Sequence, residues 1–177
     1  MRRLITLSKE RQATLNTIFP EVIEQTYGYE GSVPGYSWFS ISIFDHWLSA
    51  DEHYLIDDIP RKAHMGHLEK LHSFTRKIVD KTEVLTFRCK GRKKRKPIFK
   101  KFATQETANR YCEGSTNLTA SYNLYVIALP EYECIIKESR DYTNHIYYRN
   151  RELLDALLVM AKNCGLNTIN ELNQNKY

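Results

Sequence analysis

The 177-residue sequence has only seven glycines, five prolines and four cysteines, and it lacks any long apolar run. Each shortage excludes something. The chain shows no internal repeat or low-complexity tract, and 42% apolar with 12% aromatic residues is too rich for a disordered tail. Cys89, Cys112, Cys134 and Cys164 are each more than twenty residues apart, so no CxxC pair starts a zinc ribbon or a redox site. They read as ordinary thiols of a reducing compartment, which points to the cytoplasm, where the Asn117-Leu118-Thr119 sequon carries no glycan. The apolar stretch after Arg2 and Arg3 ends at Lys9, too early for a signal peptide, and serines, threonines and asparagines break the uncharged run from Gly114 to Pro130. No membrane contact is expected. Walker, GxGxxG, GxSxG and HExxH motifs are missing, so no cofactor is expected and binding is favoured over catalysis.

What is there has the size of one domain, residues 1–177, with a helical half to about residue 80 and a sheet-rich half from about 81. Leu15, Ile18, Phe19, Val22 and Ile23 keep helical spacing behind a Ser8 cap, with a break expected at Pro20. Residues 61–79 place Leu68, Leu71, Phe74 and Ile78 on one helical stripe, and Asn150 caps a last helix that ends at Gly165. Thr104 caps a short helix through Cys112. Strands are expected over 84–89 and 98–102 as a hairpin, then over 124–129, 132–138 and 145–149 as an antiparallel meander. Residues 37–48 are ambiguous: Phe39, Ile41 and Ile43 alternate, whereas Phe44, Trp47 and Leu48 have helical spacing, and a helix is preferred. The expected class is α+β, with the helices of the N-terminal half and the C-terminal helix on one face of a mostly antiparallel sheet.

Charge is the most uneven feature. Nine of the 26 basic residues lie between positions 88 and 101 with no acidic residue among them: Arg88, Lys90, Arg92, Lys93, Lys94, Arg95, Lys96, Lys100 and Lys101. The rest of the chain carries 17 basic against 21 acidic residues, so a mildly acidic protein bears one cationic hairpin. Like charges on a tight turn repel, and a polyanion would relieve them; Lys and Arg at a hairpin tip can neutralise phosphates. The bland alternative is a tip that keeps a strand end soluble and unpaired. The two carry about even weight, since no base-reading motif accompanies the run.

Three other groups are weaker. Tyr27, Tyr29 and Tyr36 lie in or beside a glycine-rich loop near Trp38 and Trp47, a composition suited to interface anchors or a homodimer contact. His64 and His67 stand three apart on a helix behind the acidic stretch 51–58 and could share a metal, although surface histidines are the more frequent outcome. Arg140 to His145 could bind a small polar ligand, but its Asp and Asn suit a turn better. The preferred function is a small non-enzymatic protein whose basic hairpin contacts nucleic acid or an acidic protein. An aromatic interaction module comes second and a metal-assisted enzyme third.

Overall fold

A computed structural model describes residues 3–27, 34–57, 59–90, 96–113, 124–139 and 141–170. It is an α+β fold around one eight-stranded antiparallel sheet in the order β1-β4-β3-β5-β6-β7-β2-β8. The strands are β1 (Leu4–Thr6), β2 (Ser37–Ser42), β3 (Leu85–Lys90), β4 (Lys96–Phe102), β5 (Val126–Leu129), β6 (Cys134–Glu138), β7 (Thr143–Tyr148) and β8 (Asn167–Asn170). The antiparallel pair β3–β4 and the antiparallel ladders β5–β6–β7 follow the alternation of the sequence.

Six helices are described: α1 (Lys9–Ile18), α2 (Val22–Tyr27), α3 (Tyr54–Asp57), α4 (Arg61–Lys81), α5 (Gln105–Cys112) and α6 (Asp155–Lys162). Ser8 caps α1 by accepting from the Arg11 amide, and Thr104 caps α5 by accepting from the Thr107 amide. The stripe containing Leu15 and Val22 breaks at Pro20, where Glu21 turns left-handed with φ 52° before α2 begins. Arg149 at the end of β7 donates to the carbonyls of Thr17 and Ile18, which α1 leaves unpaired at its end. Gly165 ends the last helical segment with φ 71°.

Two expectations need correction. Residues 37–42 form strand β2 rather than a helix, since both neighbours, β7 and β8, take up its backbone groups and Phe39 and Ile41 enter the core. The helices cover both faces of the sheet, not one. Ile127, Leu129, Cys134, Ile136 and Ile146 pack with residues of α4, α5 and α6. The alternate residues Val126, Ala128 and Ile135, with Leu85, Phe87 and Phe99, pack under Leu15, Phe19, Val22 and Ile23 of α1 and α2. The chain has enough apolar stripes to bury both faces, and β5 and the start of β6 are apolar without interruption, as doubly covered strands are.

Candidate functional site

Strand alternation sorts the basic hairpin. Phe87 and Phe99 pair directly and turn into the core beneath α1, where the Phe99 ring sits 5.5 Å from Phe87 and 5.8 Å from Phe19. Both rings are consumed by packing, so neither is available to stack on a base. The opposite face begins with Thr86 and Phe102 against Tyr111 of α5 and continues beyond that helix with Arg88, Ile98, Lys100 and Lys96. Arg88 and Lys96 are exposed, and Ile98 and Lys100 are half-buried. Lys101 is exposed on the α1 face, opposite Ile5 and Leu85.

Lys90 pairs with Lys96 across the ladder, and Arg92, Lys93, Lys94 and Arg95 lie outside the described residues. Among the described residues, Arg88, Lys96, Lys100 and Lys101 form no ion pair. The acidic stretch at 51–57 follows β2, far across the strand order from β3 and β4, and its Glu52 is engaged by His46 and Ser49. Those contacts hold the Glu52 carboxyl down at about 2, chiefly through the Ser49 amide, while Asp45 first and Glu52 second raise His46. The cationic face is therefore not neutralised by the described part of this stretch.

The aromatic residues go elsewhere. Tyr36 is buried at 5% exposure, so its ring serves the core rather than a surface. Tyr29 and the Tyr27 side chain lie outside the described residues. Trp38 and Trp47 are half-buried, meeting edge to face at 6.2 Å, and the Trp47 ring stacks on His145 at 6.1 Å. Ser40 Oγ lies 2.8 Å from His145 Nδ1, and burial lowers the His145 pKa.

His64 and His67 do meet a partner that their spacing could not show. His64 Nδ1 shares a 2.5 Å hydrogen bond with the Tyr142 hydroxyl, and the His67 ring stands edge-on to Tyr142 at 5.1 Å. Tyr142 is left-handed at φ 56°, just where the polar loop before β7 turns, and Ser139 donates to the Thr143 carbonyl across that turn. Of the stretch Arg140 to His145, Asp141 and Tyr142 form the bend, Thr143 to His145 already belong to β7, and Arg140 lies outside the described residues. Among the described residues no group of three or more His, Cys, Asp or Glu side chains is arranged to hold a metal ion.

Sequence reasoning missed Gln12. Its side-chain amide donates to the Phe99 carbonyl at 2.7 Å and accepts from the Phe99 amide at 3.0 Å, as a neighbouring strand would. Beside it runs a groove of about 730 Å3 between α1 and β4, with Lys9 and Lys96 on its walls. No sequence pattern marks such a pairing, because the partners are 87 residues apart. Set against protein-family models, curated proteins and solved structures, the chain matches none of them. Among the described residues no helix is long and apolar enough to cross a membrane.

Proposed function

We propose that this is a small non-enzymatic binding protein that contacts nucleic acid through the basic hairpin β3–β4. The observation that carries the reading is the cationic face itself: Arg88, Lys96 and Lys100 stand on one side of the ladder around Ile98, without acidic partners among the described residues. The four cations of residues 92–95 continue the same hairpin in sequence. Charges left unpaired at this density are stabilised by a polyanion and repel one another without it. Phosphates suit them because counterions released from the nucleic acid supply the driving force. The buried thiols of Cys112 and Cys134 accord with a reducing compartment, so we place this binding in the cytoplasm.

The reading is tested by fluorescence anisotropy with labelled DNA and RNA across a salt series. The native chain is compared with a variant carrying Arg88→Ser, Lys96→Ser and Lys100→Ser. Native binding should weaken steeply with salt, and loss of three phosphate contacts should flatten the slope of log K against log salt by roughly 2 to 3 on a duplex. No binding by the native chain at low salt defeats the reading, and an acidic protein partner then becomes the use for these charges.

The aromatic module is the second reading. It rests on Trp38 and Trp47, whose half-exposed rings lie on the sheet near the β8 edge. Light scattering would detect a homodimer, and Trp38→Ala would dissociate it.

A further inference from the structure

We infer that the groove between α1 and β4 receives unpaired nucleotides, so that the nucleic acid held by the hairpin is single-stranded. The inference rests on the nucleic-acid reading and names its substrate class. One wall is a single helical stripe, Lys9, Gln12, Ala13 and Asn16. The other is the outer margin of β4 at Lys96, Pro97 and Ile98, with Leu7 completing the apolar lining. Lys96 stands on the cationic face of the ladder and also lines the groove, so a strand passing round the β4 margin meets it on the way from the basic ladder into the recess. Both charged side chains among the described lining residues are lysines, and none is acidic.

The shape selects the occupant. A recess of about 730 Å3 has the size of a small-molecule site and is large enough to take a group that projects into it. Duplex DNA keeps its bases stacked inside and offers phosphates on a convex surface, which would touch the cationic face and leave the groove empty. A single strand can turn its bases inward against Leu7, Ala13, Pro97 and Ile98 while Lys9 and Lys96 meet its phosphates. Polar capacity is also left over. Gln12 spends one N–H and its oxygen on Phe99, and Asn16 donates to the Gln12 carbonyl. Among the described residues one Gln12 N–H and the Asn16 Oδ1 have no other partner and remain to meet a base edge.

An extended peptide is the obvious rival, because it could add itself as a strand to the β4 edge. That route is closed at its two key positions. Pro97 has no N–H, and the N–H and C=O of Phe99 are already occupied by Gln12.

The test measures binding of the full chain to a labelled oligothymidylate and to a labelled duplex of equal length, at one moderate salt concentration. Ala13→Trp fills the groove without changing charge, and Lys9→Gln removes one wall cation from an exposed position at the helix start. Thermal melts of both variants confirm folding, and Lys9→Gln decides if Ala13→Trp is unfolded. The native chain should prefer the single strand by at least about tenfold, and both variants should lose most of that preference while keeping duplex binding. Equal native affinity for both forms, or a preference that survives both variants, overturns the groove and leaves the hairpin reading standing. Failure of the native chain to bind either form at this salt and again at low salt removes both.

Discussion

The side chain of Gln12 bonds both backbone groups of Phe99, donating at 2.7 Å and accepting at 3.0 Å. Strand β1 pairs with β4 only from Lys100 to Phe102, so Gln12 takes over at the next outward-facing position, and Pro97 has no donor to expose beyond it. A helix residue therefore does the work of a fourth β1 residue, and the edge beside the cationic hairpin is closed to other strands.

Replacing Gln12 by Ala should cost about 1 to 2 kcal/mol, since two hydrogen bonds are lost at a partly buried backbone position. Urea unfolding measures the cost. The opened edge should also make the variant associate with rising concentration, which light scattering detects; a variant as stable and as monomeric as the native chain contradicts the role given to Gln12.

Phe99 is fully buried between Phe19 and Phe87 and joins the hairpin to α1. Phe99→Ala should destabilise by about 3 to 5 kcal/mol through lost burial and the cavity left behind. The charge series at Arg88, Lys96 and Lys100 should change stability far less while changing nucleic-acid binding more. Paired unfolding and binding curves separate the two effects.

Burial raises the Glu138 carboxyl to about 7 against its ordinary 4.5, opposed by the Tyr125 amide that donates to it. A raised folded value means that the folded state holds a proton which the unfolded chain has already released. This contribution is fully present below pH 4.5 and is lost as pH rises toward about 7. Glu138→Gln should flatten that fall, read as the difference between native and variant unfolding free energies at pH 5 and pH 7.5. A slope unchanged by the substitution would assign the titration to another group.

Cys112 and Cys134 are buried, and burial pushes the Cys112 thiol up to about 12 and also raises Cys134. Cys164 is half-buried beside Ser73. In a Cys89→Ser background, native protein should show one thiol reactive to a disulfide reagent within minutes, mapped to Cys164 by mass spectrometry, and three after unfolding. Rapid labelling of Cys112 or Cys134 would mean that the packing of α5 or β6 opens readily.

Much of the fold was legible where the signal is local. The cap at Ser8, the break at Pro20, the stripe of α4 and the β3–β4 alternation each depend on residues a few positions apart. The misreading at 37–48 arose because one window joined two patterns: Phe39 and Ile41 belong to β2, whereas Phe44 and Trp47 belong to the turn beyond it. Strands β1 and β8 are three and four residues long, too short for a period to register, and only their ladders define them. The unbroken apolar run of Val126–Leu129 carried a trace of the second helical layer.

Of the candidate site, the sequence by itself determined the density of positive charge, because composition within fourteen residues needs no folding to be counted. Tertiary structure alone decided which cations share a face, that Phe87 and Phe99 turn inward, that His64 meets Tyr142 and that Gln12 closes the β4 edge. The physical reason is range. Cross-strand register and helix placement bring together residues 78 and 87 positions apart, and such pairings are selected by burial of both sheet faces at once, a global quantity that no local spacing encodes.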